Sequence, residues 1–143
     1  MRAMTAGLLM GAALCSSGCL GGVLLGAAAG AGIILVAAED TVEMEAVTSY
    51  ADAEKACKAA IHDHGGFLET DSTTHSAGKQ TIEIESTVEQ TTIKVKIAPT
   101  TKEGRLKISV QGRKTADLLP DTKTAERVLT TVRDKLNIEP AGP

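Results

Sequence analysis

Four side chains in the middle of the sequence are of the types a transition metal accepts: Cys57, His62, His64 and His75. Thiolate and imidazole suit zinc. Cys57 and His64 are seven residues apart, so on a helix they share a face, and His75 would reach them from a following hairpin. A metal-dependent enzyme or metal-binding protein built on Cys57, His64 and His75 is therefore one reading. Against it, His62 and His64 diverge on a helix, and no Cys-x-x-Cys or His-x-x-x-His spacing occurs. The plainer reading makes Cys57 a small core hydrophobe and lets the histidines sit at a helix end. No other pattern supplies chemistry. There is no Gly-x-Ser-x-Gly nucleophile turn, and the run GAAAGAG at 26–32 lacks the Lys-Ser/Thr ending of a phosphate loop. Glu83 and Glu85 alternate as a solvated strand face would, rather than as a general acid and base. Lys94, Lys96, Arg105, Lys107, Arg113 and Lys114 gather on later strands and balance that face, with docking of an anionic lipid or polymer as the alternative. The expectation is a non-enzymatic protein with no catalytic residue, no metal and no cofactor.

The second place where chemistry is expected is Cys19. Ala3 to Ala38 holds no ionisable side chain, and Arg2 is the one charged residue before Glu39. A basic start, the apolar run Ala6–Leu14 and the small residues Ser16-Ser17-Gly18 have the plan of a secretory signal. Together with Cys19 they resemble the lipobox of bacterial lipoproteins, in which the cysteine after small residues is acylated, by palmitate for example, and becomes the new N-terminus. Cys15 follows the bulky Leu14 and fits less well. Cleavage before Cys19 would leave Cys57 as the sole free thiol and allow no intrachain disulfide. Leu20, rather than Asp, follows the cysteine, which by analogy with lipoprotein sorting points to an outer membrane.

Beyond Cys19, Leu20–Ala38 is uncharged and about the ~20 residues long that a membrane span requires. Gly18, Gly22, Gly26 and Gly30 form a small-xxx-small ladder along one helix face, which would let two backbones approach closely. Residues 19–38 are thus an anchor or a tether, and a single-pass protein associating through the ladder is the alternative. A buried segment of a cytoplasmic protein would show turn residues and charges between shorter apolar runs, and none appears before Glu39.

All the acidic residues lie from Glu39 onward, in a chain of 143 residues with net charge −3. Tyr50 and Phe67 are the only aromatic residues, too few for base-stacking or sugar-stacking surfaces, and no basic patch suits nucleic acid. Val42, Met44 and Ala46 alternate with Glu43 and Glu45, predicting a strand. A helix is predicted over Tyr50–His64, capped by Ser49 or Thr48 and stopped by Gly65-Gly66, with Ala53, Ala56, Cys57, Ala60 and Ile61 on its apolar face. Strands follow at Phe67–Thr74, Gln80–Thr87, Thr92–Ala98 and Arg105–Gln111, the last ending at Gly112. A two-residue turn at Glu89-Gln90 sets Ile84 against Val95 and Ile82 against Ile97. It also sets Glu85 against Lys94 and Glu83 against Lys96, so apolar and charged pairs agree on one register. A last helix is predicted over Thr122–Leu136, capped by Asp121 or Thr122, with Ala125, Val128, Leu129, Val132 and Leu136 as its stripe.

The expected fold is α+β: a two-layer sandwich of an antiparallel sheet of four to five strands, with two helices on one face, in the order β-α-β-β-β-β-α. An apolar signal and anchor segment precedes it. The organisation reads as a lipoprotein signal peptide over 1–18, a lipidated Gly/Ala-rich anchor or tether over 19–38, the domain over 39–138, and a frayed tail over 139–143.

The pattern as a whole resembles short bacterial envelope lipoproteins of uncharacterised function. Gly18-Cys19, GAAAGAG at 26–32, the helix AEKACKAAIHDHG at 53–65 and the strand TTIKVKIA at 91–98 carry the likeness. The resemblance implies a lipid-anchored domain at the cell envelope, facing the periplasm, and brings no catalytic residues. The partners it implies are membrane lipid through acylated Cys19 and a protein partner or a second copy of the chain.

Overall fold

The structure, a computed structural model, describes residues 34–136. Within them the chain forms β1 (Leu35–Ala38), β2 (Thr41–Val47), α1 (Tyr50–Asp63), β3 (Phe67–Ser76), β4 (Lys79–Val88), β5 (Thr91–Pro99), β6 (Arg105–Lys114) and α2 (Thr122–Lys135). All six strands join one antiparallel sheet in the order β1-β2-β6-β5-β4-β3. The α+β class and the two helices are as the residue pattern implies. The strand count is higher than the four to five expected, because Leu35–Ala38, the end of the segment read as anchor or tether, hydrogen-bonds to the free edge of β2. Four apolar residues with no alternation carry no local strand signal, and only a distant partner makes them one.

Burial follows from alternation. The even-numbered residues of β2, β4, β5's neighbours and β6 pack on the helices, as do the odd-numbered residues of β5: Val42 and Met44, Ile82 and Ile84, Ile93 and Ile97, Ile108 and Val110 are all buried. From the helices, Ala53, Ala56, Cys57, Ala60 and Ile61 of α1 and Ala125, Val128, Leu129 and Val132 of α2 complete the core. Helix α1 lies over β3, β4 and β5, α2 over β2 and β6, and the two helices pack on each other. Small alanines on α1 allow it close to the sheet, and bulk comes from the isoleucines. Truncating one of these to Ala costs about 2–5 kcal/mol.

The helix ends are closed by local chemistry. Ser49 Oγ accepts the Asp52 N–H at 3.1 Å at the start of α1. At its end the Gly65 N–H donates to the His62 carbonyl and the Gly66 N–H to the Ile61 carbonyl, each at 2.9 Å. This paired closure needs a left-handed residue, and Gly65 supplies it at φ 73°. Asp121 caps α2 by accepting the Thr124 N–H at 3.2 Å.

The expected end of β6 at Gly112 is corrected: the strand runs on to Lys114. Gly112 is a point of close approach rather than a stop. A Cβ there would lie 2.5 Å from the Asp121 carbonyl oxygen and 3.2 Å from Ala125 Cβ, so a side chain would push α2 off the sheet. The Asp121 N–H donates to the Gly112 carbonyl at 2.8 Å across this contact.

Candidate functional site

The helix-free face of the sheet is a polar surface that spans five strands. Its side chains are those that alternation turns away from the core. Register aligns Ser72, Glu83, Lys96, Ser109 and Glu43 in one row across five strands, and Thr70, Glu85, Lys94, Gln111 and Thr41 in the next. The β4–β5 pairing is the predicted one, with Glu89-Gln90 as its turn. Glu89 takes a positive φ of 56° there, which explains how a poor turn sequence still makes a two-residue link. The rows line a groove of about 400 Å³.

Opposite charges alternate across this surface. Lys94 lies 3.3 Å from Glu85, Lys96 3.6 Å from Glu83, Lys107 3.4 Å from Glu43, and Arg105 3.7 Å from Glu45. Ser109 Oγ also donates to Glu43 at 2.9 Å. Five of the basic residues that gather on the later strands, Lys94, Lys96, Arg105, Lys107 and Arg113, thus each meet a carboxylate. The surface is a mixed-charge ladder. Such pairs contribute only about 0–1 kcal/mol each.

The candidate metal residues are not brought together. Cys57 is fully buried on α1, and burial first, with the charge of Glu54 second, pushes its thiol from an ordinary 9.0 up to about 12. His64, the C-cap of α1, contacts Thr131 Oγ1 of α2 at 2.9 Å through Nε2. Thr131 Oγ1 donates to the Arg127 carbonyl, so the His64 nitrogen is the donor in that contact. His62 and His75 are exposed, the latter on β3. Among the described residues no three of His, Cys, Asp and Glu converge as a metal site. Helix periodicity placed Cys57 on the core face, and that same placement removes it from the histidines. Cys19 and the ladder Gly18, Gly22, Gly26 and Gly30 lie outside the described residues, as does the tail 139–143.

One cluster escapes sequence reasoning. Asp40, in the turn between β1 and β2, is 5% exposed and accepts from Thr41 Oγ1 at 2.8 Å, Gln111 Nε2 at 2.9 Å and Arg113 Nε at 2.6 Å. Burial alone would raise its carboxyl, but the hydrogen bonds from Thr41 and Arg113, the Arg113 charge and the Gln111 amide outweigh it and hold the group below the usual range. Gln111 and Arg113 are about 70 residues away in sequence, so no local pattern announces them. The cluster latches β1 and its turn onto β6. Asp121 is fastened similarly: burial opposes ionisation, and Thr91 Oγ1, Thr124 Oγ1 and the Thr124 N–H lower its carboxyl.

No helix among the described residues is long and apolar enough to cross a membrane. No curated protein matches the chain. Residues 2–119 match the model of a family described as a protein of unknown function, DUF3568, which takes in the apolar head and every strand. With most of its length inside that match, the chain belongs to the DUF3568 family.

Proposed function

We propose that the protein is a non-enzymatic bacterial envelope lipoprotein, held by acylated Cys19 and presenting its mixed-charge sheet face at the membrane surface. The observation that carries this reading is the order of the head: Arg2, the apolar run Ala6–Leu14, then Ser16-Ser17-Gly18 immediately before Cys19. Two further facts support it. The family match begins at residue 2, so head and domain belong to one family pattern. The chain enters the fold through β1, an edge strand, with fifteen residues, Leu20–Ile34, between Cys19 and that strand. Fully extended, at ~3.3–3.6 Å per residue, they reach about 50 Å. The domain can therefore stand off a bilayer or lie against it.

A signal removed before Cys19 and two or more acyl chains would give firm attachment, since one chain alone binds only marginally. Leu20 after the cysteine, by analogy with lipoprotein sorting, supports an outer-membrane address with the domain facing the periplasm. The test is mass spectrometry of the mature N-terminus together with labelling by an alkyne-bearing fatty acid. The expected product begins at acylated Cys19, and Cys19→Ala loses the label and the membrane fraction. A chain that begins at Met1 with unmodified Cys19 overturns the proposal. Membrane retention without label assigns the anchor to the glycine ladder of a single-pass protein instead.

A further inference from the structure

We infer that β3 is the seam of a two-fold dimer, in which two copies of this chain join their sheets edge to edge. Strand β3 closes one side of the sheet, and among the described residues nothing pairs with its outer edge. All ten of its residues are exposed. Natural edges are blunted with Lys, Pro, short length or bulges. The other edge, β1, has four residues and an irregular register. Strand β3 has no Lys and no Pro, its two acidic residues Glu69 and Asp71 lie in its first half, with Asp71 against Lys58 of α1, and its one bulge sits at its start, between Leu68 and Thr70. The segment Thr70–Ser76 is regular and open.

The β3–β4 turn fixes which main-chain groups are free. Ala77 and Gly78 both have positive φ, 49° and 73°, so the link is a two-residue primed turn closed by the bonded pair Ser76–Lys79. Bonded and non-bonded pairs alternate from there. Ser76, Thr74, Ser72 and Thr70 bond to β4, while His75, Thr73 and Asp71 turn their N–H and C=O groups outward.

Charge then selects the register. A two-fold axis normal to the sheet must pass through a residue, because opposed residues share a face. An axis through Asp71 opposes that carboxylate to itself, one through Thr70 opposes Glu69 to Asp71, and one through Ser72 drags the bulge into the seam. Of the axes that avoid all three, the one through Thr73 pairs the greatest length of the regular segment. It is the midpoint of the regular segment, and it sets Asp71, which Lys58 of its own chain already holds, opposite His75 of the second copy, twice. Ser72 then meets Thr74 and Thr70 meets Ser76, and Thr pairs across strands are favourable. The pairs at Asp71, Thr73 and His75 exchange two main-chain bonds each, so the seam holds about six. The two helix layers stay on one side, and the two polar faces merge into one. The inference goes beyond the anchoring proposal and does not depend on it.

The test is crosslinking of the full chain in intact cells with a short bismaleimide. Thr73→Cys lies on the axis, and Thr101→Cys, in the exposed β5–β6 loop, is the control. Expected is a covalent dimer at least tenfold more abundant from Thr73→Cys. Adding His75→Glu, which opposes two carboxylates at both ends of the seam, removes that excess while thermal unfolding stays within a few degrees. Equal yields from Thr73→Cys and Thr101→Cys overturn the inference, as does a Thr73 adduct of any mass other than twice the chain's. A dimer that resists His75→Glu but is lost in Gly26→Leu belongs to the glycine ladder and also overturns it. Fatty-acid labelling of Cys19, read in the same samples, reports on the anchor separately.

Discussion

Cys57 offers the sharpest check on the assignment of the core. Its side chain has no exposed surface, and burial raises its thiol from 9.0 to about 12. Only the thiolate attacks a disulfide reagent. At pH 8 the native thiolate population is then about a thousandfold below that of an ordinary thiol. Steric exclusion adds to this, so direct modification of the folded state is negligible and labelling must pass through opening. Domains of this kind have ~5–15 kcal/mol of stability, which holds the open population below about one in a thousand. The assay follows an aromatic disulfide reagent at pH 8 with the full chain carrying Cys15→Ser and Cys19→Ser, so that Cys57 is the only thiol. The expected native rate is at least ~10³-fold below the rate in denaturant, rising steeply across the unfolding transition. Zinc should leave the native rate unchanged. A native rate within tenfold of the unfolded rate would refute the buried placement, and protection by stoichiometric zinc would restore the Cys57, His64, His75 reading.

Three further outcomes test the fold around the polar face. Gly112→Ala should lower stability by about 2–3 kcal/mol, read as a shifted urea midpoint at unchanged slope, because its Cβ would lie 2.5 Å from the Asp121 carbonyl oxygen. Asp40→Asn should cost about 1.5–3 kcal/mol at pH 7 through its charge-assisted bonds to Arg113 and Gln111. Because the Asp40 and Asp121 carboxyls are lowered in the fold, their stabilisation is complete above the unfolded value of about 3.9 and is lost as pH falls through the folded values. Acid unfolding of Asp40→Asn should therefore depend less steeply on pH than that of the parent, and equal slopes would count against the latch. A double-mutant cycle on Glu83 and Lys96 should return a coupling of only about 0.2–1 kcal/mol that fades in salt, and a larger salt-resistant value would mean the face is drier than its geometry implies.

What could be read from the residues divides along sequence distance. The β4–β5 register was legible in full, since Ile82, Ile84, Glu83 and Glu85 find Ile97, Val95, Lys96 and Lys94 through a short turn. The apolar faces of α1 and α2 were legible because helix periodicity is local, and five of five expected apolar residues on α1 are buried. The other half of the polar face was not. Glu43 and Glu45 meet Ser109 and Lys107 only once α1 and three strands have brought β6 beside β2, and nothing in either strand names the other. The same holds for Asp40 and Arg113, where a turn residue becomes a buried anion through a guanidinium 73 positions away.

Edges were hardest, for a physical reason that bears on function. Alternation reports a strand with one face buried, and an edge strand escapes that condition. Strand β1 is apolar at every position, so it reads as a continuation of the head. Strand β3 is rich in Thr and Ser on both sides because α1 covers it only partly, through the Lys58 contact with Asp71. The two segments that read most weakly as strands are thus the two that end the sheet. One receives the chain from the head, and the other offers the open row of main-chain groups. A fold whose entry and whose free edge lie five strand spacings apart, ~24 Å by the 4.8 Å spacing of strands, can be held by one side while the opposite side and the charged face remain available to a second copy.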